Sequence, residues 1–132
     1  VEGKARGNLI GGNLSIICSS LGTENEIDTR NKILFIEEIG EEPYKVDRML
    51  LQLVQAGKIN DCAGIIFGYF SSCEPSNPNQ SLTISEVIKE LIKPCGKPII
   101  AGVACGHSLP SLTLPMGVEV VIDSKNKNIK II

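Results

Sequence analysis

The pattern of apolar and polar positions divides the chain into alternating helices and strands. In "NKILFIEEIG" (31–40), Ile33 to Ile36 are apolar at every position instead of every second one. This predicts a strand buried on both faces, as in the middle of a covered, largely parallel sheet. "CAGIIFGYF" (62–70) predicts a second buried strand, interrupted by Gly68, and "PIIAGV" (98–103) a third, short one running into a glycine-flanked turn. A strand-like piece, Asn8 to Ile10, precedes a Gly11-Gly12 turn. The last twenty residues alternate in two runs around a polar turn, Ser124 to Asn128, which predicts an antiparallel hairpin.

Three segments between these strands have helical spacing. Leu14, Ile17, Cys18 and Leu21 fall on one face of a helix over 14–21, with Asn13 as its N-cap and Gly22 closing it. "EEPYKVDRMLLQLVQAGK" (41–58) is the strongest helix. Glu41 and Glu42 suit its positive end and Pro43 its first turn, Val46, Met49, Leu50, Leu53 and Val54 line one face, and Gly57 stops it. In 82–94, Ile84, Val87, Ile88 and Leu91 point inward. The order of helices, strands and antiparallel tail predicts an α/β fold with a partly parallel sheet. At 132 residues it forms one domain.

Composition narrows the function classes. Lys and Arg number 13 against 15 Asp and Glu, and no basic run interleaves with aromatics, which disfavours nucleic-acid binding. No apolar stretch is long enough to span a membrane, and the start lacks the order of a signal peptide. The five cysteines form no CxxC pair, so reduced, mostly buried thiols in a cytoplasmic protein are expected. The missing close ligand pairs also argue against a zinc site built from them and His107. Gly11-Gly12 is followed by neither a GxGxxG nor a GKS/T pattern, so a tight turn is preferred to a phosphate loop.

Ligands of open α/β sheets gather at the carboxyl ends of the strands. Here those ends carry Glu37 and Glu38, then Tyr69 to Ser72, then Gly106-His107-Ser108. The two acids are either solvated turn residues or one of them is held at a site. Glu37 and His107 are the natural pair: a carboxylate on one ring nitrogen sets the tautomer and leaves the other free to take a proton. Gly106 would let the backbone come close to a substrate or a partner strand. A nucleophile is harder to find. Ser19, Ser20, Ser71, Ser72, Ser108 and Ser111 lie in no GxSxG elbow, and Cys73 and Cys105 have no basic neighbour to lower their pKa.

Together, "GNLIGGNLSIICSSLGT", "ILFIEEIGEEPYKVDRMLLQL", "GIIFGYFSSC" and "GHSLPSLTLPMGVEVVID" resemble the C-terminal domain of LD-carboxypeptidases. This serine peptidase family includes muramoyltetrapeptide carboxypeptidases and microcin-immunity peptidases, and the resemblance covers essentially all 132 residues. It implies a swivelling β/β/α-type domain and a Ser-Glu-His triad split across two domains. By motif, Glu37 is the triad acid, with Glu38 its local rival, and His107 is the base. The Ser and its oxyanion donors belong to an N-terminal domain absent here. The absent nucleophile and absent initiator Met are thus explained together as an excised or truncated domain, inactive alone. The implied substrate is a murein tetrapeptide, cut to tripeptide and D-alanine during cytoplasmic wall recycling by a homodimer needing no metal or organic cofactor. Two other readings are a peptidase for microcin-type peptidyl nucleotides and a non-catalytic module that binds peptidoglycan fragments.

Overall fold

Ile33–Ile39 (β2) is the spine of the computed structural model, which describes residues 1–132. It lies inside a six-stranded sheet with Lys4–Asn13 (β1), Gly64–Ser71 (β3), Ile99–Ala101 (β4), Glu119–Asp123 (β5) and Asn128–Ile131 (β6). The strand order is β4-β3-β2-β1-β5-β6. The first four run parallel, and β5 and β6 are antiparallel additions. The helices are Leu14–Ser20 (α1), Pro43–Gln55 (α2), Lys58–Asp61 (α3) and Ile84–Leu91 (α4). Each crossover from β1 to β4 steps one strand further in the same direction. With right-handed connections this puts every helix on one face.

The uninterrupted apolar run of β2 follows from that layering. Leu34 and Ile36 face the helices with Ile65 and Phe67, packing on Leu14, Val46, Leu50, Leu53 and Val87. Ile33 and Phe35 face the other way, into a second core with Leu9, Ile66, Ile100, Val120 and Ile122. No helix covers this second face. The sheet curls over it: a Cβ placed on Gly64 would stand 2.7 Å from Ile122 Cδ1 and 3.0 Å from the Ala5 side chain. Val103, Cys105, Leu114 and Val118, from the segment that follows β4, complete the cover.

Local signals explain the helix starts. The Asn13 side chain accepts from the Ile16 N–H (3.2 Å), and Thr83 and Glu86 form a reciprocal capping box ahead of α4. Pro43 opens α2, which is shorter than the expected 41–58. Glu42, its N-cap, leaves the helix end uncapped and instead accepts from the backbone and hydroxyl of Ser76, tying loop 71–81 to α2.

Three expectations need correction. The first strand is not Asn8–Ile10 with a glycine turn but ten residues long, and Gly11 and Gly12 lie inside it. Lys4–Asn8 pairs antiparallel with β5, and Leu9–Asn13 pairs parallel with β2, so partners over a hundred residues away make the polar half a strand. Gly68 does not end β3, which runs on to Ser71, but it lies where the pairing with β2 slips by one residue, between Phe67 and Phe70, and the Cys105 carbonyl oxygen takes the place of a side chain, 2.4 Å from where a Cβ would stand. The third strand is only Ile99–Ala101, because Gly102 (φ +76°) turns the chain out of the ladder. The short α3 was not foreseen, since one helical turn is too short for an apolar period to show. No helix is long and apolar enough to cross a membrane.

Candidate active site

The site is built where β2 and β3 end. Between Ile36 and Glu38 the register of β2 against β3 slips, from Ile36 opposite Phe67 to Glu38 opposite Phe70. Successive strand residues point to opposite faces, so the two acids part company. Glu38 turns to the helical face, where it is 2% exposed and accepts from four donors: Asn13 Nδ2 (2.7 Å), the Ser15 N–H (2.8 Å), the Ser15 hydroxyl (2.6 Å) and the Ile39 N–H (2.9 Å). It clamps the start of α1 to the end of β2. Glu37 turns to the other face, and its Oε2 lies 2.7 Å from His107 Nδ1.

His107 reaches Glu37 because the segment after β4 is stitched back onto the sheet. Val103 N–H donates to the Phe67 carbonyl, Tyr69 N–H to Cys105 and Leu112 N–H to Ala104. Further along, β1 takes over: Gly117 N–H donates to the Leu9 carbonyl and Leu9 N–H to Val118. Gly106 (φ +133°) makes the final approach, since a Cβ there would sit 3.0 Å from Glu37 Oε2 and 3.4 Å from the Tyr69 Cβ. The close approach that the sequence suggested for Gly106 is therefore made to Glu37 itself.

The two partners differ in exposure. The Glu37 side chain is 7% exposed and that of His107 is 50%. A proton on Nδ1 bonded to the carboxylate leaves Nε2 as an acceptor on the open side of the ring. Nothing in the chain occupies it. The hydroxyls of Ser19 and Ser20 donate to carbonyls within α1, and Ser71 and Ser108 bond to each other. Burial, followed by the Glu37 charge, pushes the Cys105 thiol up, and burial likewise raises Cys73. Both stay protonated thiols and are poor nucleophiles.

All five cysteines are free, Cys18, Cys62 and Cys73 being buried, and no group of three or more His, Cys, Asp and Glu side chains converges. A cavity of about 450 Å³ between α4 and the β4 edge is lined by neither Glu37 nor His107. The pair lies on an open face, and Leu109 (91% exposed), Leu112 and Met116 follow on the His107 loop.

Glu38 gives the fold a measurable acid sensitivity. Burial would push its carboxyl up, but the bonds from Ser15, Ile39 and Asn13 outweigh it and hold the carboxyl below its ordinary value. A carboxyl depressed in the folded state stabilises fully above the unfolded value of about 4.3, and this is lost as pH falls through the lower folded value. Glu38→Gln, with one acceptor oxygen for four donors, is expected to cost about 2 kcal/mol at neutral pH. In acid-unfolding series the gap between wild type and variant should close below about pH 4. A gap independent of pH would show that the charge on Glu38 does not matter.

The chain is similar to known proteins along nearly its whole length. The family model described as the LD-carboxypeptidase C-terminal domain matches residues 6–122. The chain is 46% identical over 127 residues to the probable murein peptide carboxypeptidase of Bacillus subtilis, covering 96% of this chain and 40% of that protein. It is 33% identical over 135 residues to the microcin C7 self-immunity protein MccF of Escherichia coli, covering 98% of this chain and 38% of that protein. The solved muramoyltetrapeptide carboxypeptidase from Oxalobacter formigenes superposes with a TM-score of 0.87 at 31% identity, over 99% of this chain and 46% of that one. The chain spans about two fifths of the length of these curated relatives. A curled sheet of the same build and a family match over nearly its whole length lead to one conclusion: the chain belongs to the LD-carboxypeptidase C-terminal domain family.

Proposed function

We propose that this chain supplies the Glu and His of a Ser-Glu-His triad in a serine LD-carboxypeptidase, and that the serine and its oxyanion donors come from an N-terminal domain. The observation that carries the reading is the 2.7 Å contact between a buried Glu37 and a half-exposed His107 whose Nε2 meets no hydroxyl of this chain. The exposed apolar residues beside His107 suit a face that another part of the protein covers.

In the reaction, His107 Nε2 takes the proton of the attacking serine as its oxygen bonds to the scissile carbonyl carbon. Glu37 holds the Nδ1–H and stabilises the imidazolium. His107 then passes that proton to the leaving amine, the D-alanine end of an L,D bond, and an acyl-enzyme remains. Water attacks the acyl carbon, giving its proton to His107, which passes it to the serine oxygen as the acyl–oxygen bond breaks, restoring the free serine and the neutral ring. No atom of this cycle requires a metal or organic cofactor. The names of the relatives support a murein tetrapeptide as substrate. Five free thiols suit a reducing, cytoplasmic setting, and a role in wall recycling follows from the proposed substrate. Homodimeric assembly belongs to the same proposal.

A second substrate class has a specific observation behind it. MccF, solved in complex with aspartyl sulfamoyl adenosine, superposes with a TM-score of 0.86. The higher identity to the murein peptide carboxypeptidase favours the tetrapeptide. The intact protein should release D-alanine from an L,D-linked tetrapeptide and leave a D,D-linked one and a peptidyl nucleotide uncut. Cleavage of the nucleotide alone would move the chain to the microcin-type reading. Cleavage of the D,D bond alone would refute the L,D assignment.

A further inference from the structure

His107 has one side-chain tether, Glu37, and the backbone leading to it passes through Gly102 and Gly106, both at positive φ. Val103 and Cys105 are held to β3 between them, so Gly106, beyond the last of those bonds, is the pliable joint before His107. The restraint on the far side is the next residue. Ser108 Oγ lies 2.5 Å from Oγ of Ser71, the last residue of β3, and both side chains are half-buried. Ser71 is itself fixed, because its carbonyl accepts from the Gly40 N–H at 2.8 Å and from the Cys73 thiol at 3.3 Å. The end of β3, the residue after β2 and the His107 loop therefore meet at one residue, Ser71, whose carbonyl holds Gly40 and whose hydroxyl holds Ser108.

We propose that Ser71 and Ser108 form a positioning pair for His107, fixing the backbone next to the base while Glu37 fixes its ring. The inference rests on the proposed role of His107. Glu37 alone can hold Nδ1 while the backbone shifts and swings Nε2 across the open face, and a displacement of about 1 Å at a reacting group can cost on the order of 100-fold in rate. A bond between two hydroxyls exists only when both are present, so removing either loses all of it. Neither serine touches the reacting atoms in this role.

The test is a double-mutant cycle in the intact protein. Ser71→Ala and Ser108→Ala should each lower kcat by about 10- to 100-fold with KM little changed. The double variant should lose no more than the worse single one. Ser108→Thr, which keeps the hydroxyl, should recover most of the loss, and the thermal midpoint should stay near that of the wild type. Multiplying losses, wild-type kcat in either single variant, or a fall explained by unfolding would each overturn the pair. His107→Ala keeps the two proposals apart. If that variant is inactive while both serine variants turn over normally, only the positioning pair fails; if it turns over normally, the triad reading fails.

Discussion

Replacing His107 with alanine in the intact protein is expected to lower kcat by about 10⁴-fold or more while leaving the fold unchanged. The size follows from the ring's place in the proposed reaction. Without Nε2 there is no acceptor for the nucleophile's proton and no donor for the leaving amine, and both steps lose the same group. The fold should persist, because the His107 side chain is half exposed and its one partner, Glu37, stands near the carboxyl end of β2 and not in either apolar core. Glu37→Gln should come close to the same loss for a different reason. The amide keeps the shape but not the charge that stabilises the imidazolium, and it no longer selects the tautomer with the proton on Nδ1. Steady-state kinetics with an L,D-linked tetrapeptide, beside a thermal melt, checks both. Turnover of His107→Ala within tenfold of the wild type would remove His107 from the chemistry.

Gly11→Ala is expected to be the most damaging single-atom change in the fold. The added Cβ would lie 1.9 Å from the Phe35 carbonyl oxygen and 2.8 Å from its carbon, both backbone atoms of the adjacent, fully paired β2. No side-chain rotation relieves that contact, so either β1 or β2 must move, and Gly11 also sits at φ +123°, where an L side chain is strained. Overpacking and strain together should cost about 3 kcal/mol or more, a fall of roughly 10 °C in thermal midpoint. Gly12→Ala is the control. It shares the positive φ but meets nothing within 4 Å, so it should lose only the backbone term, about 1–2 kcal/mol. Equal losses in the two variants would show that the clash with Phe35 is not the cause.

Much of the fold was legible where local chemistry decides it. The helices over 14–20, 43–55 and 84–91 announced themselves through apolar spacing, and two of them through Asn13 and Pro43. The apolar runs of β2 and β3 predicted buried strands, although not that the second cover is the curl of the sheet. The first strand was misjudged because Lys4 to Asn8 has no apolar pattern of its own and becomes a strand only through β5. The candidate site was half legible. The residue types at the strand ends pointed to Glu37 and His107, and alternation alone required Glu37 and Glu38 to face opposite ways. Which acid faced which side was not available from alternation.

By itself, then, the sequence determined what short-range forces control: the periodic faces of three helices, their start signals, the buried strands, and the supply of a carboxylate and an imidazole with no activated hydroxyl. Only the tertiary structure decided which groups meet. The register slip after Ile36, the anchoring of Glu38 to Asn13 and Ser15, and the stitching of the segment after β4 onto β3 and β1 bring His107 to a carboxylate seventy positions earlier. Those contacts join residues far apart in the chain, and the free energy that selects them comes from burying two faces of one sheet at once, a quantity no local stretch of residues carries.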